Sequence, residues 1–103
     1  MGIGNNTRII VVPQDSVLQS ATRVFLTLAY MGAMDRTSLL NGGLPAWKAE
    51  ARPVSAEAPP PAMATVFDLK LHPEFIAAMQ DVEKAIQDHR VSVIDARLPR
   101  FYN

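Results

Sequence analysis

The chain has 103 residues, of which 49% are hydrophobic and 19% charged, the proportions of one soluble globular domain. Ten basic and ten acidic residues cancel, so no net charge attracts nucleic acid or an anionic membrane, and neither is expected as a partner. The absence of cysteine excludes a disulfide, an iron–sulfur centre and a thiolate nucleophile built from this chain, and no cofactor or metal ion is expected.

The first predicted elements are a strand and a helix. Arg8–Val12 is rich in β-branched residues and ends at Pro13, a pattern typical of a buried strand in a parallel sheet. Ser16–Gln19 fits a capping box and Gly32 supplies a left-handed stop, so the residues between them are expected to form a helix. The apolar stripe of this helix comprises Val17, Ala21, Val24, Phe25, Leu28 and Met31.

A second strand and a short helix follow. Thr37–Leu40 returns as a strand, and Arg8–Leu40 has the right length for one βαβ unit with a right-handed crossover and a parallel sheet. In Asn41–Trp47 the two glycines allow positive φ, and Pro45 suits the first turn of a helix. Trp47 is expected to anchor that helix in a core.

The composition then changes. Residues 52–62 contain four prolines and no strong apolar periodicity, which predicts a linker stiffened by polyproline II structure. Beyond it, Pro73 can open a helix that either continues through Gln80–Asp81 or breaks there. The apolar residues at helical spacing are Phe75, Ile76, Met79, Val82 and Ile86.

The last predicted strand is Val91–Ile94. It leads into Asp95–Asn103, a polar and aromatic loop at a strand's carboxyl end, where open α/β sheets place their ligands. Such a strand needs pairing partners and covering helices, yet a single βαβ unit precedes it. We therefore expect that residues completing this sheet are missing from the chain.

Four blocks of sequence resemble, in this order, the rhodanese-type sulfurtransferases that have two tandem domains: GIGNNTRIIVV, SATRVFLTLAYMGA, LLNGGLPAWKAEARPVS and VSVIDARLPRFYN. The resemblance implies an α/β fold with a rhodanese-like parallel sheet flanked by helices, present here incompletely. Residues 1–51 would be the C-terminal half of a non-catalytic domain, 52–70 the proline-rich interdomain linker, and 71–103 the opening of a second, truncated domain.

The resemblance also implies a chemistry. Family members move sulfane sulfur from thiosulfate or 3-mercaptopyruvate to a thiophilic acceptor through a cysteine persulfide, in a loop that would lie past Asn103. No serine of this chain can replace that sulfur, so we expect no catalytic residue and no activity from the chain alone.

One substrate-binding residue can be carried over. Arg100–Phe101 resembles the family's arginine–aromatic pair, which implies that Arg100 faces the active site of the intact parent and helps to hold the small anionic sulfur donor. The competing interpretation is an ordinary solvated arginine. Asp95 and Arg97 are expected to brace the loop.

A second function class stays open. The chain could be a cysteine-free rhodanese-like module that docks a partner protein through exposed sheet edges. The start of the sequence lacks a basic segment of the kind that begins a secretory signal, and no apolar stretch approaches the roughly 20 residues of a spanning helix, so a cytoplasmic location is expected.

Overall fold

The computed structural model describes residues 2–15, 18–88 and 91–101. The chain divides into two compact units, Met1–Pro73 and Glu74–Asn103.

The first unit is built around a β–α–β arrangement. Strand β1 (Ile9–Val11) is followed by helix α1 (Gln19–Tyr30) and strand β2 (Thr37–Leu39). The two strands pair in parallel, with Ile9 opposite Thr37 and Val11 opposite Leu39. The predicted parallel pairing of these two segments is therefore confirmed.

The core of this unit consists of small residues. Ala21 and Ala29 of α1 are buried, as are Ala33 and Thr37, whose hydroxyl donates to the Ala33 carbonyl at 2.6 Å. Of the predicted stripe, Phe25, Leu28 and Met31 are half-buried and Val24 is exposed. Small side chains at these buried positions let the helix approach the sheet closely.

The predicted end of α1 can be compared with the structure, whereas part of its predicted start lies outside the described residues. Leu18 occupies the N-cap position without a side-chain bond, while the predicted capping residue Ser16 and its neighbour Val17 lie outside the described residues. At the other end Gly32 has φ +87°, which confirms the left-handed stop. The Ala33 N–H donates to Leu28 O at 2.8 Å and the Gly32 N–H to Ala29 O at 3.0 Å, a Schellman motif.

Helix α2 (Gly43–Ala49) confirms the predicted turn and helix. Gly42 and Gly43 have φ values of +73° and +57°, and Pro45 lies in the first turn. The expectation for Trp47 was wrong, because its side chain is half-buried and lies outside the buried core. The sheet face beside it has no covering layer among the described residues of this unit.

The second unit contains helix α3 (Met79–Gln87), preceded by the 3₁₀ turn Pro73–Phe75. The predicted start at Pro73 was wrong, because α3 begins only at Met79, but the helix runs through Gln80–Asp81 without a break, the first of the two predicted alternatives. The Asp81 carboxylate accepts the backbone N–H of Ala78 at 2.9 Å, so this residue stabilises the first turn of α3. Met79 and Ile86, both expected on an apolar face, are exposed.

The predicted strand Val91–Ile94 is also corrected by the structure. These residues form no helix or strand, and Ile94 is 84% exposed. β-Branched residues favour extended backbone, but a strand also needs a second strand to pair with, and the described residues of this unit include none. Helices around a small parallel sheet are compatible with an incomplete rhodanese-like α/β fold.

Candidate functional site

The candidate anion site lies in the loop that follows residues 91–94. Asp95 and Arg97 stand at its start, and Arg100 lies in the 3₁₀ turn Pro99–Phe101. The position of Arg100, the predicted substrate-binding residue, is therefore set by this local turn. Tyr102 and Asn103, which end the predicted loop, lie outside the described residues.

Asp95 and Arg97 form a tight local pair. The Arg97 Nη2 donates to Asp95 Oδ2 at 2.6 Å, and Nε donates to Oδ1 at 2.9 Å. The backbone N–H of Arg97 adds a third bond, to Oδ1 at 3.0 Å. The side-chain bond to Arg97, followed by its backbone N–H, lowers the pKa of Asp95, and the same carboxylate raises the pKa of Arg97. The charges of the two side chains therefore offset one another.

Arg100 has a different environment. Its guanidinium carbon lies 4.9 Å from the centroid of the Phe101 ring, within the range of a cation–π contact, and the residue is exposed. The stacked ring limits the orientations of the guanidinium while its N–H groups face water. Arg100 can offer an anion a charged planar fork, with Asp95 already bound to Arg97.

Two cavities among those of the first unit were not predicted from the sequence. One, of about 290 Å³, is apolar and lined by Ile10, Val12, Leu40, Leu44 and Trp47. Ile10 in β1 and Val12 just beyond it are two residues apart and so share a face of the strand segment, which could have indicated that surface. The other, of about 260 Å³, is polar and lined by Asn5, Gly32, Asp35, Arg36, Asp68 and Lys70. It joins residues far apart in sequence, so no local pattern indicates it.

The described part of the chain contains no cluster of three or more histidine, cysteine, aspartate or glutamate residues that could hold a metal ion. Among those same residues, no helix is long and apolar enough to cross a membrane.

Comparison with known proteins gives three informative similarities. The chain is 33% identical over 98 residues to human 3-mercaptopyruvate sulfurtransferase, an alignment that covers 94% of this chain and 32% of that protein. It is 38% identical over 78 residues to a thiosulfate sulfurtransferase of Azotobacter vinelandii, covering 76% and 28%. It is 30% identical over 98 residues to chicken thiosulfate sulfurtransferase, covering 94% and 33%.

No family model and no solved structure matches the chain. The chain spans about a third of the length of the curated relatives it matches. The three similar proteins are named 3-mercaptopyruvate sulfurtransferase or thiosulfate sulfurtransferase. This similarity supports a relationship between the chain and the rhodanese-type sulfurtransferases.

Proposed function

We propose that this chain is part of a longer parent protein, a sulfurtransferase. The parent moves sulfane sulfur from thiosulfate or 3-mercaptopyruvate to a thiophilic acceptor. The observation that carries the proposal is the similarity to human 3-mercaptopyruvate sulfurtransferase over 94% of the chain. The same stretch is similar to chicken thiosulfate sulfurtransferase, so both donors stay in the proposal.

The reaction requires a group that this chain lacks. In the proposed cycle a thiolate attacks the outer sulfur of thiosulfate, the sulfur–sulfur bond breaks, sulfite leaves with the bonding electrons, and a persulfide remains. A thiophilic acceptor then takes the sulfur and releases the thiolate. With no cysteine in its sequence, the chain cannot form that persulfide, and we propose that it is inactive alone.

Arg100 is the residue of this chain that we propose to contact the donor in the intact parent. Its exposed guanidinium, oriented by Phe101 and distinct from the Asp95–Arg97 pair, suits a small anion. A single exposed arginine binds such an anion weakly. We therefore propose that further groups that bind the sulfur donor lie in the rest of the parent.

The test is a graft. The aligned 98-residue stretch of this chain replaces its counterpart in human 3-mercaptopyruvate sulfurtransferase, and sulfur transfer to cyanide or a thiol is measured. We expect a folded and active chimera, and no turnover by the 103-residue chain alone. A folded chimera without activity, or turnover by the cysteine-free chain, would contradict the proposal. A chimera with the host cysteines changed to serine controls for background.

A second candidate is a protein-interaction module, favoured by the exposed apolar face that Ile10, Leu40 and Trp47 line beside a two-stranded sheet. Open strand edges and an apolar surface can accept a partner strand or helix. An inactive chimera, together with saturable binding of a partner that Ile10→Lys abolishes, would favour this function.

A further inference from the structure

We propose that residues 62–72, named here the strap, are an integral part of the first unit and serve as the C-terminal cap of helix α1. The adjustable part of the proline-rich segment is then restricted to residues 54–61. This goes beyond the proposed function, because it concerns which residues the first unit needs in order to hold its helix.

The strap donates hydrogen bonds to the C-terminal end of α1. The last carbonyls of a helix have no partner within the helix and need donors from elsewhere. Here the His72 N–H donates to Tyr30 O at 2.8 Å, and the Lys70 N–H donates to Met31 O at 3.3 Å. Two alternate residues of the strap therefore bond the two carbonyls that close the helix.

The strap also passes close to the backbone of Gly32. A Cβ at this position would lie 2.6 Å from Lys70 O, closer than any carbon side chain tolerates. Glycine is therefore needed here twice, for its φ of +87° and for the approach of the strap. Such a close approach is expected of a packed segment and is unnecessary for a free linker.

The N-terminal loop binds the other half of the strap. Asn5 Nδ2 donates to Asp68 Oδ2 at 2.7 Å, while Asn5 Oδ1 accepts the Asp68 backbone N–H at 2.7 Å. The Asn5 N–H also donates to Val66 O at 3.1 Å. The guanidinium of Arg36 lies 4.8 Å from the Phe67 ring centroid, and Phe67 and His72 are half-buried in a strap whose other residues are exposed.

The segment before the strap behaves differently. Trp47 Nε1 donates to Pro53 O at 2.9 Å, which fixes the beginning of the proline-rich segment to α2. Residues 54–61 are all exposed. Residues on both sides of this stretch are held by their own contacts. The first unit should therefore stay folded when the chain is cut within residues 54–61.

Amide hydrogen exchange on the full chain tests the proposal. We expect the amides of Asn5, Lys70 and His72 to exchange more than about tenfold slower than their intrinsic rates, and that of Ala58, in the exposed stretch, to exchange near its intrinsic rate. Intrinsic exchange at Lys70 and His72 overturns the proposal, whether or not α1 is protected.

A charge exchange between two residues makes the test specific. Asn5→Asp faces Asp68 with a second carboxylate, and we expect the Lys70 amide to exchange about tenfold faster relative to the centre of α1. The double variant Asn5→Asp/Asp68→Asn restores an amide–carboxylate pair and is expected to restore protection. Asn6→Asp makes the same charge change one residue away and should leave the ratio unaltered. Equal effects of Asn5→Asp and Asn6→Asp would overturn the role of the pair.

Gly32→Ala and Gly42→Ala form a matched pair of backbone variants. Both introduce a side chain at positive φ, but only the first meets the strap. We expect Gly32→Ala to reduce protection at Lys70 and His72 relative to the centre of α1, and Gly42→Ala to leave that ratio unchanged. A second measurement places a specific protease site in residues 54–60 of the full chain. After cleavage the two pieces should co-elute in native buffer, and their separation overturns the proposal.

Discussion

Arg97 binds the carboxylate of Asp95 in a two-pronged geometry, with Nη2 2.6 Å from Oδ2 and Nε 2.9 Å from Oδ1. The two residues are two positions apart, so the pair forms within the loop and needs no distant element. Its consequence is a division of roles among the cations of this loop. Arg97 is neutralised by its partner, and Arg100 carries its charge beside Phe101.

The first prediction concerns the acid titration of this pair. The pKa of Asp95 is lowered from its ordinary value of 3.8, chiefly by the side chain of Arg97. Because the folded-state pKa is depressed, the pair's contribution to loop order is present above 3.8 and is lost as the pH falls through the lowered pKa. In Arg97→Ala the pKa of Asp95 should rise back toward 3.8, measured from its carboxyl carbon shift by NMR. Arg100→Ala is the control and should leave that pKa unchanged.

The second prediction concerns Arg36. Its Nη1 donates to Gly4 O at 2.7 Å and to Thr7 O at 3.2 Å, while its guanidinium plane contacts Phe67. Lysine has a single ammonium and cannot make these contacts together. Arg36→Lys should lower the free energy of unfolding by about 1–2 kcal/mol, measured by circular dichroism in urea.

Arg23→Lys is the matched control for that experiment. Arg23 is exposed on α1, so the same exchange there should change the free energy of unfolding by less than about 0.5 kcal/mol. Equal effects at the two positions would show that the contacts of Arg36 contribute nothing particular.

The third prediction concerns the apolar face. Ile10 is 59% exposed and lines the apolar cavity beside Trp47. Exposed apolar surface of this kind binds hydrophobic dyes and promotes association. Ile10→Lys should reduce the fluorescence of the dye ANS bound to the chain and raise its soluble concentration. Val54→Lys adds the same charge at a residue that is 60% exposed and does not line the cavity, and should leave dye binding unchanged.

The fourth prediction concerns Arg100 in the active chimera described above. If its guanidinium holds the anionic donor, Arg100→Ala should reduce kcat/KM by about 10- to 100-fold, the loss expected for a charge-assisted hydrogen bond. Arg100→Lys should recover part of the activity because the charge remains. Steady-state kinetics that are unchanged in Arg100→Ala would identify it as an ordinary surface arginine.

Local sequence signals determined several elements correctly. The β-branched run at β1, the glycine after α1 and the NGGLPAW turn each act through backbone conformation within a few residues. The structure has each of these three features where the sequence predicts it. The ordered sequence blocks also resemble the sulfurtransferases, and sequence similarity supports that relationship.

Tertiary contacts decided the rest. Val91–Ile94 has the composition of a strand, but composition cannot supply a pairing partner, so the residues form no strand and are exposed. Trp47 looked like a core residue, yet burial requires a covering layer that the described part of the first unit lacks. The domain limits and the role of Arg100 stay predictions.

The sequence by itself determined the local geometry of β1, the end of α1 and the turn into α2, and its similarity to sulfurtransferases supports a relationship to them. The tertiary structure alone decided that Lys70 and His72 bond the last carbonyls of α1, and that Asn5 pairs with Asp68. The physical reason is distance along the chain. Propensities act between near neighbours, whereas the partners of a helix end are chosen by whichever distant segment the fold brings within hydrogen-bonding reach.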